Sequence, residues 1–167
     1  IIDGGENSWT NGVAVADVNG DGLLDIYLSQ VGSYRHLDCT NKLFICTGLN
    51  EEGIPQYKEE ASIYGLDFKG FSTQAGFFDY DLDGDLDMFL MNHSLHHNGT
   101  FGKRELFVNS FDTLSGDRLF RNDGSFFTDV SKEAGINSSV IGYGLGLAFS
   151  DINLDGWPDI YVGNDFH

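Results

Sequence analysis

Proline occurs only twice in the 167 residues and cysteine only twice, and nine basic residues face 26 acidic ones. No apolar run approaches the 18 residues or so that a membrane-spanning helix needs, and no basic-then-apolar leader is present, so neither a transmembrane helix nor a signal peptide is visible in the sequence, and no membrane insertion is expected. The chain opens Ile1-Ile2-Asp3 without an initiator methionine, which suggests a processed product or a fragment. The formal charge of -17 makes nucleic acid and anionic membrane surfaces poor partners and favours cations or basic ones. With Cys39 and Cys46 as the whole cysteine complement, a disulfide across a short loop and two free thiols are equally compatible with the sequence. No long helical face is apparent.

What is present argues for a packed β protein. A 41% hydrophobic content with 14% aromatics is enough for a core, and 22 glycines suit many tight turns. One nine-residue pattern occurs three times. It reads Asp17-Val18-Asn19-Gly20-Asp21-Gly22-Leu23-Leu24-Asp25, Asp79-Tyr80-Asp81-Leu82-Asp83-Gly84-Asp85-Leu86-Asp87, and Asp151-Ile152-Asn153-Leu154-Asp155-Gly156-Trp157-Pro158-Asp159. Each copy follows a small-residue apolar run and precedes a β-rich one: Ile26-Tyr27-Leu28, Met88-Phe89-Leu90 and Ile160-Tyr161-Val162. The recurrence of Tyr27, Phe89 and Tyr161 at one repeat position predicts that all three are core.

A longer repeat surrounds these loops. Asn41-Lys42-Leu43-Phe44 matches Asp117-Arg118-Leu119-Phe120, each followed by an aromatic strand, a small-residue turn and a glycine-rich apolar strand. The step from Asp79 to Asp151 is 72 residues, with four short strand candidates per period and no crossover helix. The one helix-like piece, 130–134, is a single turn closed by Gly135. An all-β fold of four-stranded antiparallel β-propeller blades is therefore expected, as an incomplete ring of about two blades and part of another. The expected division of this single segment is a partial blade over 1–40, a blade over 41–116 and a further blade over 117–167 that stops before completing its pattern. Residues 92–116 fit the repeat least and are expected to be a surface insertion between blades.

The loops have the chemistry of a calcium site. Positions 1, 3, 5 and 9 offer only hard oxygens: Asp17, Asn19, Asp21 and Asp25; Asp79, Asp81, Asp83 and Asp87; Asp151, Asn153, Asp155 and Asp159. A backbone carbonyl at position 7, from Leu23, Asp85 or Trp157, and water would complete the 6–8 oxygens that calcium accepts. Gly22, Gly84 and Gly156 at position 6 allow the chain to turn round an ion. Magnesium demands stricter octahedral geometry, and zinc would want cysteine or histidine. An EF-hand needs a glutamate at position 12 and a following helix, where this chain has Leu28, Leu90 and Val162 in strands. Plain acidic β-turns are the remaining alternative.

The unit of small apolar strand, Asp-x-Asp/Asn-x-Asp-Gly-x-x-Asp and β-rich strand resembles the FG-GAP or VCBS-type repeat of integrin-α-like propellers. The run from Leu119 to Ile136, containing Phe127-Thr128-Asp129-Val130-Ser131 and Ala134-Gly135-Ile136, is similar to secreted relatives of cartilage acidic protein. The resemblance implies about three structural calcium ions held by the matched positions. It also implies an extracellular, cell-surface or periplasmic module for adhesion or for binding a protein or carbohydrate ligand, as part of a longer propeller or one completed by self-association. Part of a secreted enzyme acting on polysaccharides and a structural scaffold completed by oligomerisation are the other readings, and His93, His96 and His97 are the cluster that invites the enzyme. Solvated loop histidines are the plainer account of that cluster. Sequons stand at Asn92, Asn98 and Asn137.

Overall fold

A computed structural model describes residues 4–95 and 104–165, which form an all-β arrangement of several antiparallel sheets, none of them closed. In chain order the strands are β1 (Thr10–Ala16), β2 (Asp25–Gln30), β3 (Ser33–Tyr34), β4 (Leu37–Asp38), β5 (Lys42–Leu49), β6 (Pro55–Glu59), β7 (Ser72–Phe78), β8 (Asp87–Asn92), β9 (Arg118–Asn122), β10 (Phe127–Asp129), β11 (Gly144–Ser150) and β12 (Asp159–Asn164). The first sheet has the order β1-β2-β5-β6 and the second β10-β9-β8-β7, while β11 and β12 make a third of two strands. A small β3-β4 hairpin decorates the connection from β2 to β5.

The sheets are phased differently from the sequence repeat. The matching runs at 41–44 and 117–120 fall at the third strand of the first and second sheets, not at their starts. A tandem repeat has no intrinsic beginning, so only the strand pairing sets the phase. Residues 93–117 accordingly connect β8 to β9, neighbours in the second sheet. A single helical turn stands at the same repeat position in both copies. The α-helix α1 covers Ala61–Tyr64 and ends on Gly65 at φ 73°, while the repeat-equivalent 130–134 closes one turn through Ala134 N–H to Val130 O at 2.9 Å.

Side-chain alternation explains how the sheets stack. All six residues of β8 are buried, and successive side chains point to opposite faces. Met88 and Leu90 enter a core shared with Tyr27, Leu43, Ile45 and Phe127, whereas Phe89 and Met91 join Phe78, Leu119 and Val130 against Leu147, Phe149 and Ile160. The second sheet is thus covered on both faces, by the first and by the third. Beyond the third sheet no further described sheet follows, so Tyr161 is 64% exposed where Tyr27 and Phe89 are at 1% and 2%. The expectation that Tyr161 is core fails because its burial depends on a neighbouring sheet.

The first strands of the three sheets lie side by side, β1 against β7 and β7 against β11. Close approach is built in at Gly12, where a Cβ would stand 2.3 Å from the Thr73 carbonyl oxygen. Each first strand also carries a register shift at the same repeat position, between Thr10 and Gly12, Ser72 and Gln74, and Gly144 and Gly146. A buried polar chain ties the first two sheets. Asn41 Nδ2 donates to both Tyr27 Oη and Ser72 Oγ at 2.9 Å, Ser72 Oγ donates to Asn92 Oδ1 at 2.9 Å, and Asn92 Nδ2 donates to Gly116 O at 2.7 Å.

Candidate metal centre

The three acidic patterns form the turns of the β1-β2, β7-β8 and β11-β12 hairpins. Their backbones are alike. Position 6 has positive φ in each, at 86° for Gly22, 99° for Gly84 and 90° for Gly156, as the glycine pattern predicts. Position 4 is left-handed too, at 72° for Gly20, 63° for Leu82 and 61° for Leu154, and two leucines there are invisible to turn propensities.

The carboxylates fold each turn around their own oxygens. Position 1 accepts two amides: Asp17 from Asp21 and Gly22 at 3.0 and 2.8 Å, Asp79 from Asp83 and Gly84 at 3.1 Å each, and Asp151 from Asp155 and Gly156 at 3.0 and 2.9 Å. Position 5 accepts the amide of position 7, whose residues are Leu23, Asp85 and Trp157. Position 9 accepts the amide of position 2, from Val18 to Asp25, Tyr80 to Asp87 and Ile152 to Asp159, at 2.8 to 2.9 Å.

Position 9 has a second task that the sequence does not disclose. Asp25 Oδ1 accepts Cys46 N–H on β5, and Asp87 Oδ1 accepts Asn122 N–H on β9, both at 2.8 Å. One carboxylate therefore fastens the hairpin turn to the third strand of its sheet. Both side chains are fully buried, and burial pushes the Asp25 and Asp87 carboxyls up, the latter to about 6, against the pull of these amides and with the neighbouring acids adding to the rise. Asn122 does still more, because its Nδ2 donates to Val18 O in the first loop at 3.3 Å and to Leu86 O in the second at 3.2 Å. Its repeat equivalent is Cys46, so no sequence signal marks it.

The loops differ at position 3. Asn19 and Asn153 use their amide nitrogens to hold Asp21 and Asp155 at 3.1 and 3.0 Å, an internal substitute for a positive charge. Asp81 cannot donate. In that loop one carboxylate oxygen each from Asp79, Asp81 and Asp87 lies within 4.8 Å of the others, the one such acidic or histidine-cysteine group among the described residues. Asp81 Oδ1 and Asp85 Oδ1 are buried there without a hydrogen-bond partner. Burial raises the Asp85 carboxyl, followed by repulsion from Asp83, Asp81 and Asp79. Asp85 thus brings a side chain to the loop where the sequence reading took only its carbonyl.

These three aspartates could hold a metal ion. Oxygens on opposite sides of an ion bound at 2.3–2.6 Å stand at most about 5 Å apart, and the spare lone pairs of Asp79 and Asp87 are not used up by their amide partners. Two orphaned carboxylate oxygens in a cluster of like charge are what a cation would satisfy.

No protein-family description and no curated protein matches this chain.

The other candidates are placed as follows. Trp157 is 52% exposed. Cys39 and Cys46 are free thiols. His93 packs edge-on against Tyr143 at 4.8 Å, while His96 and His97 lie outside the described residues. The sequon asparagine Asn92 is 2% exposed and hydrogen-bonded, Asn137 is exposed, and Asn98 lies outside the described residues.

Proposed function

We propose that this chain is a calcium-stabilised binding module of β-propeller type, in which the ions are structural and ligand is met elsewhere on the repeat. The observation that carries it is the second hairpin turn, with its three convergent carboxylates and two buried, unpartnered carboxylate oxygens. The donor set is all oxygen and rich in carboxylates, which suits calcium better than magnesium, an ion that keeps several waters and is usually held by one or two carboxylates. Calcium on the first and third loops would be weaker, since Asn19 and Asn153 each remove a charge.

The propeller reading is supported by the side-by-side first strands, the shared register shift and the face-to-face cores of successive sheets. A module of this kind, acidic and reliant on calcium at extracellular concentration, suits adhesion or ligand binding outside the cell or in the periplasm.

Thermal melting across a calcium titration, starting from chelated protein, tests the proposal. The melting temperature should climb and then saturate, with magnesium far less effective at equal concentration. A midpoint unmoved by millimolar calcium would end the structural-calcium reading.

A further inference from the structure

Away from the hairpin turns, the opening residues of β1 and β7 present amides and hydroxyls instead of carboxylates, while β11 opens on Gly144 and Leu145. The register shifts in β1, β7 and β11 each leave one residue outside the ladder: Asn11, Thr73 and Leu145. Bulges of this kind redirect a side chain, and all three of these residues line one cavity of about 670 Å³. That volume lies within the range of about 300–1,000 Å³ typical of small-molecule sites. Three sheets therefore aim their irregular residue at a common space.

The cavity is neutral. None of its lining residues is Asp, Glu, Lys or Arg, in a chain where 21% of residues are charged. Buried Phe71 and Met91 form part of its wall, and Trp9, 60% exposed, and Tyr34 add aromatic surface. The polar groups retain bonding capacity. Gln74 has no side-chain hydrogen bond among the described residues, and Asn11 spends only Nδ2, on Ser72 O at 3.3 Å. Thr73 Oγ1 donates to Met91 O at 3.1 Å and can still accept. His93 Nδ1 meets Ser94 O at 2.6 Å, so Nδ1 is the donor and Nε2 of the neutral ring is an acceptor.

We propose that this cavity binds a neutral sugar, with one face of a pyranose ring stacked on Trp9 and its hydroxyls bonded to Gln74, Asn11, Thr73 and His93. The proposal names the ligand site of the module described above and rests on that binding role. An ionic ligand finds no counter-charge among the lining residues, the nearest described cation being Arg35, which covers the Tyr34 ring at 5.0 Å. A wholly apolar one would strip water from four polar side chains without replacing their hydrogen bonds. A sugar supplies both a flat C–H face and hydroxyls that donate and accept, which matches rings whose bodies are apolar and whose edges carry N–H or O–H.

Fluorescence gives the test, because the chain has only two tryptophans and Trp157→Phe leaves Trp9 as the sole emitter. Neutral di- and trisaccharides of glucose, galactose, mannose and N-acetylglucosamine are titrated to about 10 mM, ten times a millimolar Kd. A saturable change in Trp9 emission is expected, with affinity at least tenfold weaker in Gln74→Ala. Saturation-transfer NMR should show binding lost in Trp9→Ala, an exposed substitution that leaves melting unchanged. The proposal is overturned by no saturable response to any of these sugars, by equal affinity for a sulfated oligosaccharide, or by binding that survives Trp9→Ala. Uptake of the uncharged apolar dye Nile red with no sugar effect would assign the cavity to an apolar partner and equally overturn it. Calcium-dependent melting is read on the same samples. A calcium shift without a sugar response sinks the sugar site alone, and a sugar response without a calcium shift sinks structural calcium alone.

Discussion

In the 79–87 turn, Asp87 accepts one amide from its own loop and another from Asn122 on the neighbouring β9, whereas Asp159 of the 151–159 turn accepts Ile152 N–H and has no third strand beside it among the described residues. The same nine-residue pattern thus sits in two mechanical settings. One has an exposed tip but a fully buried position-9 carboxylate locked from behind, and the other is largely solvent-exposed. The hairpin pattern makes the turn, and the surrounding sheet decides what the turn is worth.

Removing the position-9 carboxylate breaks this comparison most directly. Asp87→Ala leaves two buried amides without acceptors and should cost about 3 kcal/mol in denaturant unfolding of calcium-free protein, against about 1 kcal/mol for Asp159→Ala. Equal losses would mean that the link to β9 contributes nothing.

Cation binding is next in size. An ion at a hundred times its Kd adds about 2.7 kcal/mol per site. The second loop should carry the tightest site, so Asp83→Ala should reduce calcium affinity and the calcium-induced melting shift more than Asp21→Ala or Asp155→Ala. Calorimetric titration of the three variants ranks them, and the opposite order would show that the extra carboxylates of the second loop repel more than they coordinate.

A pH effect distinguishes charge from geometry. Burial holds the carboxyls of Asp87 and Asp117 at about 6, despite amide hydrogen bonds that lower both. Between about pH 4 and 6 the folded state therefore binds more protons than the unfolded chain, and stability falls as pH rises through that window. Metal-free protein should melt higher at pH 5 than at pH 7. With calcium the trend reverses, because protons compete for the ligand carboxylates. Asp117 has a natural control in the first sheet. Asn41 there accepts Gln30 N–H at 2.8 Å just as Asp117 accepts Asn92 N–H at 2.8 Å. Asp117→Asn should flatten the metal-free profile and raise melting at pH 7, and an unchanged slope would assign the whole effect to the loop acids.

The smallest effect concerns what the two turns share. Leu82 and Leu154 sit at φ 63° and 61°, so Leu82→Gly and Leu154→Gly should each stabilise by up to about 1 kcal/mol, by nearly equal amounts. A gain at one position alone would mean that the turn backbones are not equivalent.

The acidic turns were legible because their demands are local. A glycine in the left-handed region and carboxylates within five residues leave a pattern that a sequence displays. Recurrence at one repeat position likewise disclosed that Tyr27 and Phe89 are core. The phase of the sheets was not legible, since the repeat at Asn41 and Asp117 has no marker of where pairing begins. Exposure of Tyr161 was missed because burial belongs to two sheets at once. The roles of Asp87 and Asn122 toward strands far along the chain leave no trace in spacing, as their partners are backbone groups present at every residue.

Asn122 has a consequence for the order in which the molecule assembles. Its amide reaches Val18 O across 104 positions of sequence, while the hairpin holding Val18 closes over a turn of only eight residues, 17–24. Local hairpins form in microseconds, but contacts of such separation wait for the intervening chain to be folded. The first acidic turn can therefore adopt its shape early and gain its last hydrogen bond late, when β9 docks. During synthesis that moment comes only after residue 122 has left the ribosome, so the earliest turn to be made is among the last to be finished.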